Sequence, residues 1–295
     1  MKIDRKKVLL FLGLTFLFDW LLVGLFLGQG GTYDNTTPAM IMAVGYMFVP
    51  MLAALFVQKL IYREPVIQPL GISFKLNRWW LVAWLLPVVL AVTTLGVSIL
   101  FPGVEFSSEM AGYYDKLEGM LTPDQMEAMQ EQAANFPVHP FWIALLQGLI
   151  AGPTINAVAG FGEELGWRGF LLKELMPLGF WKSSLTIGAI WGIWHAPLIL
   201  QGHNYPQHPI IGVFMMVIWC LLLSPIFSYI RLKAKSVIAA AVLHGSLNAT
   251  AGLPIIMLVG GSDLTVGVTG FAGFIVLAAI NLLIFWREKE PNLSC

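Results

Sequence analysis

Apolar residues run along this chain in long unbroken stretches, with neither the strict alternation of strands nor the narrow stripe of a soluble helix. A bilayer core of about 30 Å needs about 20 apolar residues of helix to cross it. That length divides the chain into eight runs, at 8–27, 39–60, 79–101, 141–163, 184–200, 210–230, 237–259 and 266–286. Continuous runs exclude a transmembrane barrel, whose strands alternate between lipid and lumen. The pattern predicts an all-α polytopic membrane bundle of about eight transmembrane helices. The basic start Lys2-Ile3-Asp4-Arg5-Lys6-Lys7 followed by an apolar run has the layout of a signal peptide. The run is longer than a signal h-region and no small-residue site closes it, so it reads as an uncleaved first span. No internal repeat appears, and one transmembrane domain over 1–295 is the simplest division.

Composition agrees. Of 295 residues, 57% are hydrophobic and 12% charged, with a mean hydropathy of +0.75. A soluble domain carries about a quarter charged residues, so an ordinary soluble enzyme, a disordered chain and a disulfide-rich module are excluded. Net charge is zero, and nothing argues for nucleic acid. The positions of the charges say more than their sum. With a cytoplasmic N-terminus, the inside segments hold Lys2, Arg5, Lys6 and Lys7; Lys59, Arg63, Lys75 and Arg78; Arg168, Lys173 and Lys182; Arg231, Lys233 and Lys235; Arg287 and Lys289. Only Lys116 falls outside. The positive-inside rule then puts both termini in the cytoplasm, in what is expected to be a prokaryotic plasma membrane. Cys220, in an apolar run, and Cys295, at the last position, are not expected to meet, and Cys295 cannot open a prenylation box of its own.

The connection 102–140 is long for a bundle and acidic, with Glu105, Glu109, Asp115, Glu118, Asp124, Glu127 and Glu131 against Lys116. Thr122-Pro123-Asp124 predicts a helix start, with Thr122 as cap and Pro123 in the first turn. Met126, Met129 and Ala133 form a modest apolar stripe, which reads as a solvated extracytoplasmic insertion lying on the bundle.

Ionisable groups inside membrane helices are costly, so each is a functional candidate. They are Asp19 in the first run, Glu163 and Glu164 ending the fourth, His195 in the fifth and His244 in the seventh, with Asn156, Asn248 and Asn281 as uncharged companions. In a helix, Glu164 and Arg168 stand i, i+4 in the favourable order for an ion pair. Glu163 is turned about 100° away, free to face a cavity as a general base. Trp191 and His195 are likewise one turn apart, so the indole shapes one side of the imidazole's pocket, and Pro197 breaks the helix just beyond. His244 and Asn248 project together, two polar groups able to donate toward one developing oxyanion. Asp19 has no evident partner in its own span, while His139, His203 and His208 fall in outer loops and read as surface residues.

The order Glu163-Glu164-x-x-x-Arg168, then Trp191-x-x-x-His195, then His244-x-x-x-Asn248 resembles the CAAX protease and bacteriocin-processing (CPBP, or abortive-infection) family of intramembrane endopeptidases. The resemblance covers roughly 141–252, the expected catalytic core. The second motif often begins with Phe, where this chain has Trp191. The resemblance implies that Glu163 activates the attacking water, which His195 helps to hold. It implies that His244 and Asn248 form the oxyanion hole while Glu164, Arg168 and Trp191 brace the site. It further implies, as substrate, a small peptide or the C-terminus of a CAAX-type lipidated protein, reached from the cytoplasm and the membrane lipid. The family has also been labelled metal-dependent. No His-Glu-x-x-His stretch is present, and with Asn248 in the set and no cysteine near the motifs, metal-free, glutamate-based hydrolysis is favoured; the alternative is zinc or another divalent ion held by Glu163, His195 and His244. Two other function classes compete: a non-catalytic immunity or partner-binding protein of the same fold, and a small-solute transporter, which lacks support from any paired pattern across the two halves.

Overall fold

In a computed structural model of the chain, the described residues are 3–33, 36–117 and 122–288. Lys2, Glu118, Lys289 and Cys295 lie outside them, and the side chain of Lys116 is likewise not described. Helix α1 is Arg5–Gly28; α2 is Thr36–Leu55, continuing as a π-helical segment Phe56–Ile61; α3 is Arg78–Ser98. The outer connection holds β1 (Glu105–Phe106), α4 (Ala111–Leu117) and α5 (Pro123–Asn135). Next come α6 (Pro140–Ala151), a π-helical turn Gly152–Asn156, α7 (Ala157–Glu164), a second π-helical segment Leu165–Leu171 and α8 (Leu172–Leu175). The chain ends with α9 (Phe180–Trp194), α10 (Ala196–Ile199), α11 (Pro209–Ala234), α12 (Val237–Thr250), α13 (Leu253–Ile256), β2 (Leu258–Val259) and α14 (Phe271–Arg287).

Six runs among the described residues are long and apolar enough to cross a membrane: Arg5–Gly28, Thr37–Ile61, Arg78–Ser98, Pro140–Leu178, Pro209–Ala234 and Val237–Ile256. Their outer faces present large apolar side chains such as Leu17, Leu52, Val89, Ile155 and Ile218. The chain is an all-α, multi-pass integral membrane bundle. The other two runs expected from the sequence are helical but shorter. The fifth is split into α9 and α10 at His195, and the eighth starts at Phe271 because 266–270 is spent on turns.

The fourth run departs most from expectation. It does not end at Glu163 but continues to Leu178. Glu163 and Glu164, expected to end the run, are instead buried inside the bundle, and Arg168, counted with the cytoplasmic charges, is buried there with them and paired to Glu164. Pro153 explains the first π-helical turn. It has no N–H for the carbonyl of Leu149, and that oxygen accepts from the indole of Trp84 on α3 at 2.8 Å instead. This turn packs against Gly245 of α12, where a Cβ would stand 2.3 Å from the backbone nitrogen of Ala157 and the carbonyl oxygen of Gly152. Only glycine permits that approach.

At the basic end, Lys7 bonds Glu64 at 2.6 Å and Glu174 at 2.9 Å, and Lys173 reaches the same two carboxylates at 3.3 and 3.0 Å. This cluster ties α1 and α8 to the segment after α2. Burial works to raise the Glu64 carboxyl, but the hydrogen bond from Lys7 and the charge of Lys173 outweigh it and hold it below its usual range. At the other end, β1 pairs antiparallel with β2 and fastens the acidic connection to the segment after α13. Helix α5 starts as the sequence predicts: Thr122 and Gln125 form a capping box with Pro123 in the first turn. Its apolar stripe is only half-covered, and no side chain of α5 is buried.

Candidate active site

The site is built where α7 and the π-helical segment after it meet α9 and α12. Small residues bring the helices close. Gly160 packs on His244, and Gly162 on the backbone of Met47 and Phe48 in α2. Two π-helical segments flank Glu163 and Glu164 in the chain; such widened turns are rare and concentrate at functional sites.

Glu163 is buried and its Oε2 accepts from the indole N–H of Trp191 at 2.8 Å. Its other oxygen lies 3.8 Å from Nε2 of His244. Glu164 is also buried; its Oε1 accepts from Arg168 at 3.1 Å and from Nδ1 of His244 at 2.8 Å. The Arg168 guanidinium lies 4.4 Å from the ring centre of Trp191 and 4.8 Å from that of Phe227. The two acids thus reach one imidazole from two sides, although their helical positions had suggested separate surroundings. The side chain of His244 spans the angle between them.

These contacts fix which ring atoms are free. A carboxylate only accepts, so Nδ1 of His244 donates to Glu164 and Nε2 is left toward Glu163 and any reactant. At 3.8 Å, Nε2 and Glu163 are beyond strong hydrogen-bond range, so each keeps a free position. In His195, Nδ1 lies 2.8 Å from the carbonyl oxygen of Trp191. That carbonyl also only accepts, so Nδ1 carries the proton and Nε2 of a neutral ring is an acceptor. Trp191 therefore touches every part of the cluster: its N–H bonds Glu163, its carbonyl orients His195, and its ring meets both histidines at 5.5 and 5.8 Å.

The structure brings Glu163, Glu164, Arg168, Trp191 and His244 into direct contact, with His195 joined through Trp191. Asn248 is different. It follows His244 by one turn of α12 but is exposed, whereas His244 is 5% exposed. No hydrogen bond joins its side chain to the cluster among the described residues. Among the described residues, no group of three His, Cys, Asp or Glu side chains is gathered as a metal-binding cluster.

Two long-range partners could not be named from the sequence. Asp19 finds its partner across the bundle, accepting from the indole of Trp194 at 2.6 Å. Phe227 forms one wall over Arg168 and His244; an aromatic residue in an apolar run carries no signal of such a role. Asn281 bridges helices, donating to the carbonyl of Leu222 at 2.7 Å, and the free Cys220 is buried with its sulfur 4.0 Å from Nδ1 of His195. The outer histidines serve elsewhere. His139 bonds the carbonyl of Ser108, His208 pairs with Asp263 at 2.6 Å, and burial holds His203 below the usual imidazole range.

Residues 137–250, which contain every one of these cluster residues and Asn248, match the family model of the Type II CAAX prenyl endopeptidase Rce1-like proteins. A relative named CAAX prenyl protease 2, from Methanococcus maripaludis, is 32% identical over 96 residues, covering 29% of this chain and 34% of that one. The chain thus spans about a third of the length of the curated relative it matches. This core, with its Glu163-Glu164-x-x-x-Arg168, Trp191-x-x-x-His195 and His244-x-x-x-Asn248 motifs, is similar over residues 137–250 to the CAAX protease (CPBP) family.

Proposed function

We propose that the chain is an intramembrane endopeptidase that cuts a peptide bond near the C-terminus of a CAAX-type, prenylated protein, using a water activated by Glu163. The observation that carries this reading is the convergence of a buried carboxylate, a neutral-face imidazole and a carboxylate-backed imidazole inside the matched core, about 141–252. Oε1 of Glu163 takes a proton from the water while Nε2 of His195 accepts its second hydrogen bond. The hydroxyl oxygen bonds to the scissile carbonyl carbon, and the carbonyl oxygen becomes an oxyanion. Nε2–H of doubly protonated His244 and the amide N–H of Asn248 donate to that oxygen. Glu163 then returns its proton to the leaving amine as the C–N bond breaks. Glu164, paired with Arg168, holds Nδ1 of His244 so that Nε2 faces the substrate.

The sorting of basic residues supports a site opening toward the cytoplasm, with both chain ends on that side. The hydrolysis is proposed to run without a metal, with Glu163 as the base and His244 and Asn248 as the oxyanion donors. The test is cleavage of a farnesylated CAAX peptide by purified protein, with products profiled by mass spectrometry. Glu163→Ala and His244→Ala should abolish cleavage while leaving a folded protein, and chelator should leave wild-type activity intact. Full activity in Glu163→Ala would end the assignment; stoichiometric zinc whose removal abolishes activity would overturn the metal-free mechanism.

A further inference from the structure

We propose that Asp19 of α1 and Tyr46 of α2 are positioning residues for His195, acting through Trp194. The proposal rests on the peptidase reading and extends it to two helices outside the matched region 137–250.

The argument begins at the break between α9 and α10. Pro197 has no N–H to continue the helix, and the backbone N–H groups of Leu198 and Ile199 both turn to the carbonyl of His195, at 3.0 and 3.1 Å. Leu198 would have been the helical donor to the carbonyl of Trp194, so that oxygen is released. A buried carbonyl needs a partner. It accepts from the hydroxyl of Tyr46 at 2.5 Å and from the indole of Trp20 at 3.3 Å. Tyr46 also packs its ring on the Trp194 indole, with centroids 4.4 Å apart.

The side chain of Trp194 is held as firmly as its backbone. Its indole N–H donates to Oδ2 of Asp19 at 2.6 Å, and Trp167 packs against it edge-on at 5.6 Å. Asp19, Tyr46 and Trp194 are fully buried. Oδ1 of Asp19 finds no hydrogen-bond donor among the described residues, so the indole is the contact that orients this carboxylate. Trp194 in turn meets the His195 ring edge-on at 4.7 Å. His195 is therefore fixed from two directions: Trp191 holds Nδ1 from within α9, and the Asp19–Trp194–Tyr46 set holds the backbone and one ring wall at the break. Without that second hold, an interrupted membrane helix would leave the ring with the Trp191 contact alone. A carboxylate buried in an apolar span is expensive, and its use as the anchor of an indole explains why α1 carries one.

The test uses the full chain, purified in detergent, with a farnesylated fluorogenic CAAX peptide as probe. Asp19→Leu removes the acceptor, and Asp19→Asn keeps an oxygen that can accept from the indole. Asp19→Leu should lower kcat roughly 10- to 100-fold with KM within about twofold, as a small misplacement of a reacting group does. Asp19→Asn should restore most of that loss. The double variant Asp19→Leu/Trp194→Phe should be no slower than Asp19→Leu alone, because both changes delete one contact; it also avoids an unpaired indole and stands in where the single variant does not fold. In 15N spectra of histidine-labelled protein, the His195 signal should move in Asp19→Leu and return in Asp19→Asn. Wild-type kcat in Asp19→Leu, or equal damage from Asn and Leu, would overturn the proposal. If wild type and Glu163→Ala behave alike toward the peptide, the peptidase reading fails instead. The His195 spectrum then decides alone, and an unchanged signal in Asp19→Leu would sink the positioning role.

Discussion

Consider the replacement Arg168→Met. Methionine keeps much of the length and packs between Trp191 and Phe227, but it removes the charge. Glu164 would then be a fully buried carboxylate with only Nδ1 of His244 as partner. Breaking a buried ion pair by deleting one member costs about 3–5 kcal/mol, because the other charge stays desolvated. Losing two desolvated cation–π contacts, at 4.4 and 4.8 Å, works in the same direction. The structure also says that the pair itself is not well satisfied. Nε and Nη2 of Arg168 and Oε2 of Glu164 have no hydrogen-bond partner among the described residues. The double variant Glu164→Gln/Arg168→Met should therefore recover most of the loss, to within about 1 kcal/mol of wild type, since neutral groups of similar volume replace an expensive pair. The two single variants and the double form a cycle, measured by equilibrium unfolding of the purified protein in mixed micelles. The coupling energy should be at least about 2 kcal/mol. Arg168→Lys should not rescue, because an ammonium cannot lie flat between two rings. Additive losses, with coupling under about 0.5 kcal/mol, would refute the claim that Arg168 and Glu164 act as one buried unit.

Lys7→Met should lower the melting temperature at pH 7 by cutting the cluster that joins α1 to Glu64 and Glu174. Glu64 sits below its usual range, so its share of this stability is complete above the unfolded carboxylate value and fades as pH falls through the folded one. The difference between wild type and variant should thus shrink below roughly pH 4; a constant difference down to pH 3 would contradict it. Gly245→Ala places a Cβ 2.3 Å from two backbone atoms of the π-helical turn and should destabilise by roughly 1–3 kcal/mol or more, whereas Gly252→Ala meets nothing within 4 Å and should be tolerated. Equal thermal stability of the two would show that α12 does not need that close approach. Thr122→Ala removes the capping box of α5 and should cost that helix about 1 kcal/mol, seen as faster amide exchange over 123–135. Cleavage should be unaffected, because no side chain of α5 is buried.

The sequence made some of this architecture readable and hid the rest for identifiable reasons. Helix-forming runs and the start of α5 follow from local signals: apolar length, a capping threonine, a proline in the first turn. The contacts within one turn, Glu164 with Arg168 and Trp191 with His195, follow from the 3.6-residue repeat. Where the fourth helix ends does not follow, because the rule that charges mark the membrane surface fails when charges neutralise one another inside. Glu163, Glu164 and Arg168 look like a helix terminus until His244, 80 residues further on, is seen to bond Glu164. The i, i+4 relation of His244 and Asn248 was also an incomplete guide. It puts them on one side of α12 but cannot say that the bundle covers the first and leaves the second open.

The same distinction explains why α1 and α2 look inert in the sequence and are not. Asp19, taken alone, is a charge without a reason in an apolar run, and Tyr46 is one aromatic among many. Each acquires a role only because Pro197 breaks the fifth span and exposes a carbonyl beside His195, a consequence that no spacing within α1 or α2 encodes. The motif residues lie on α7, α9 and α12, but at the break the helix's own hydrogen bonds hold the imidazole only through the Trp191 carbonyl. The first two helices supply the missing acceptor and donors from outside the motif region. Fragments limited to 137–250 should therefore retain the motif residues and hold His195 through Trp191 alone.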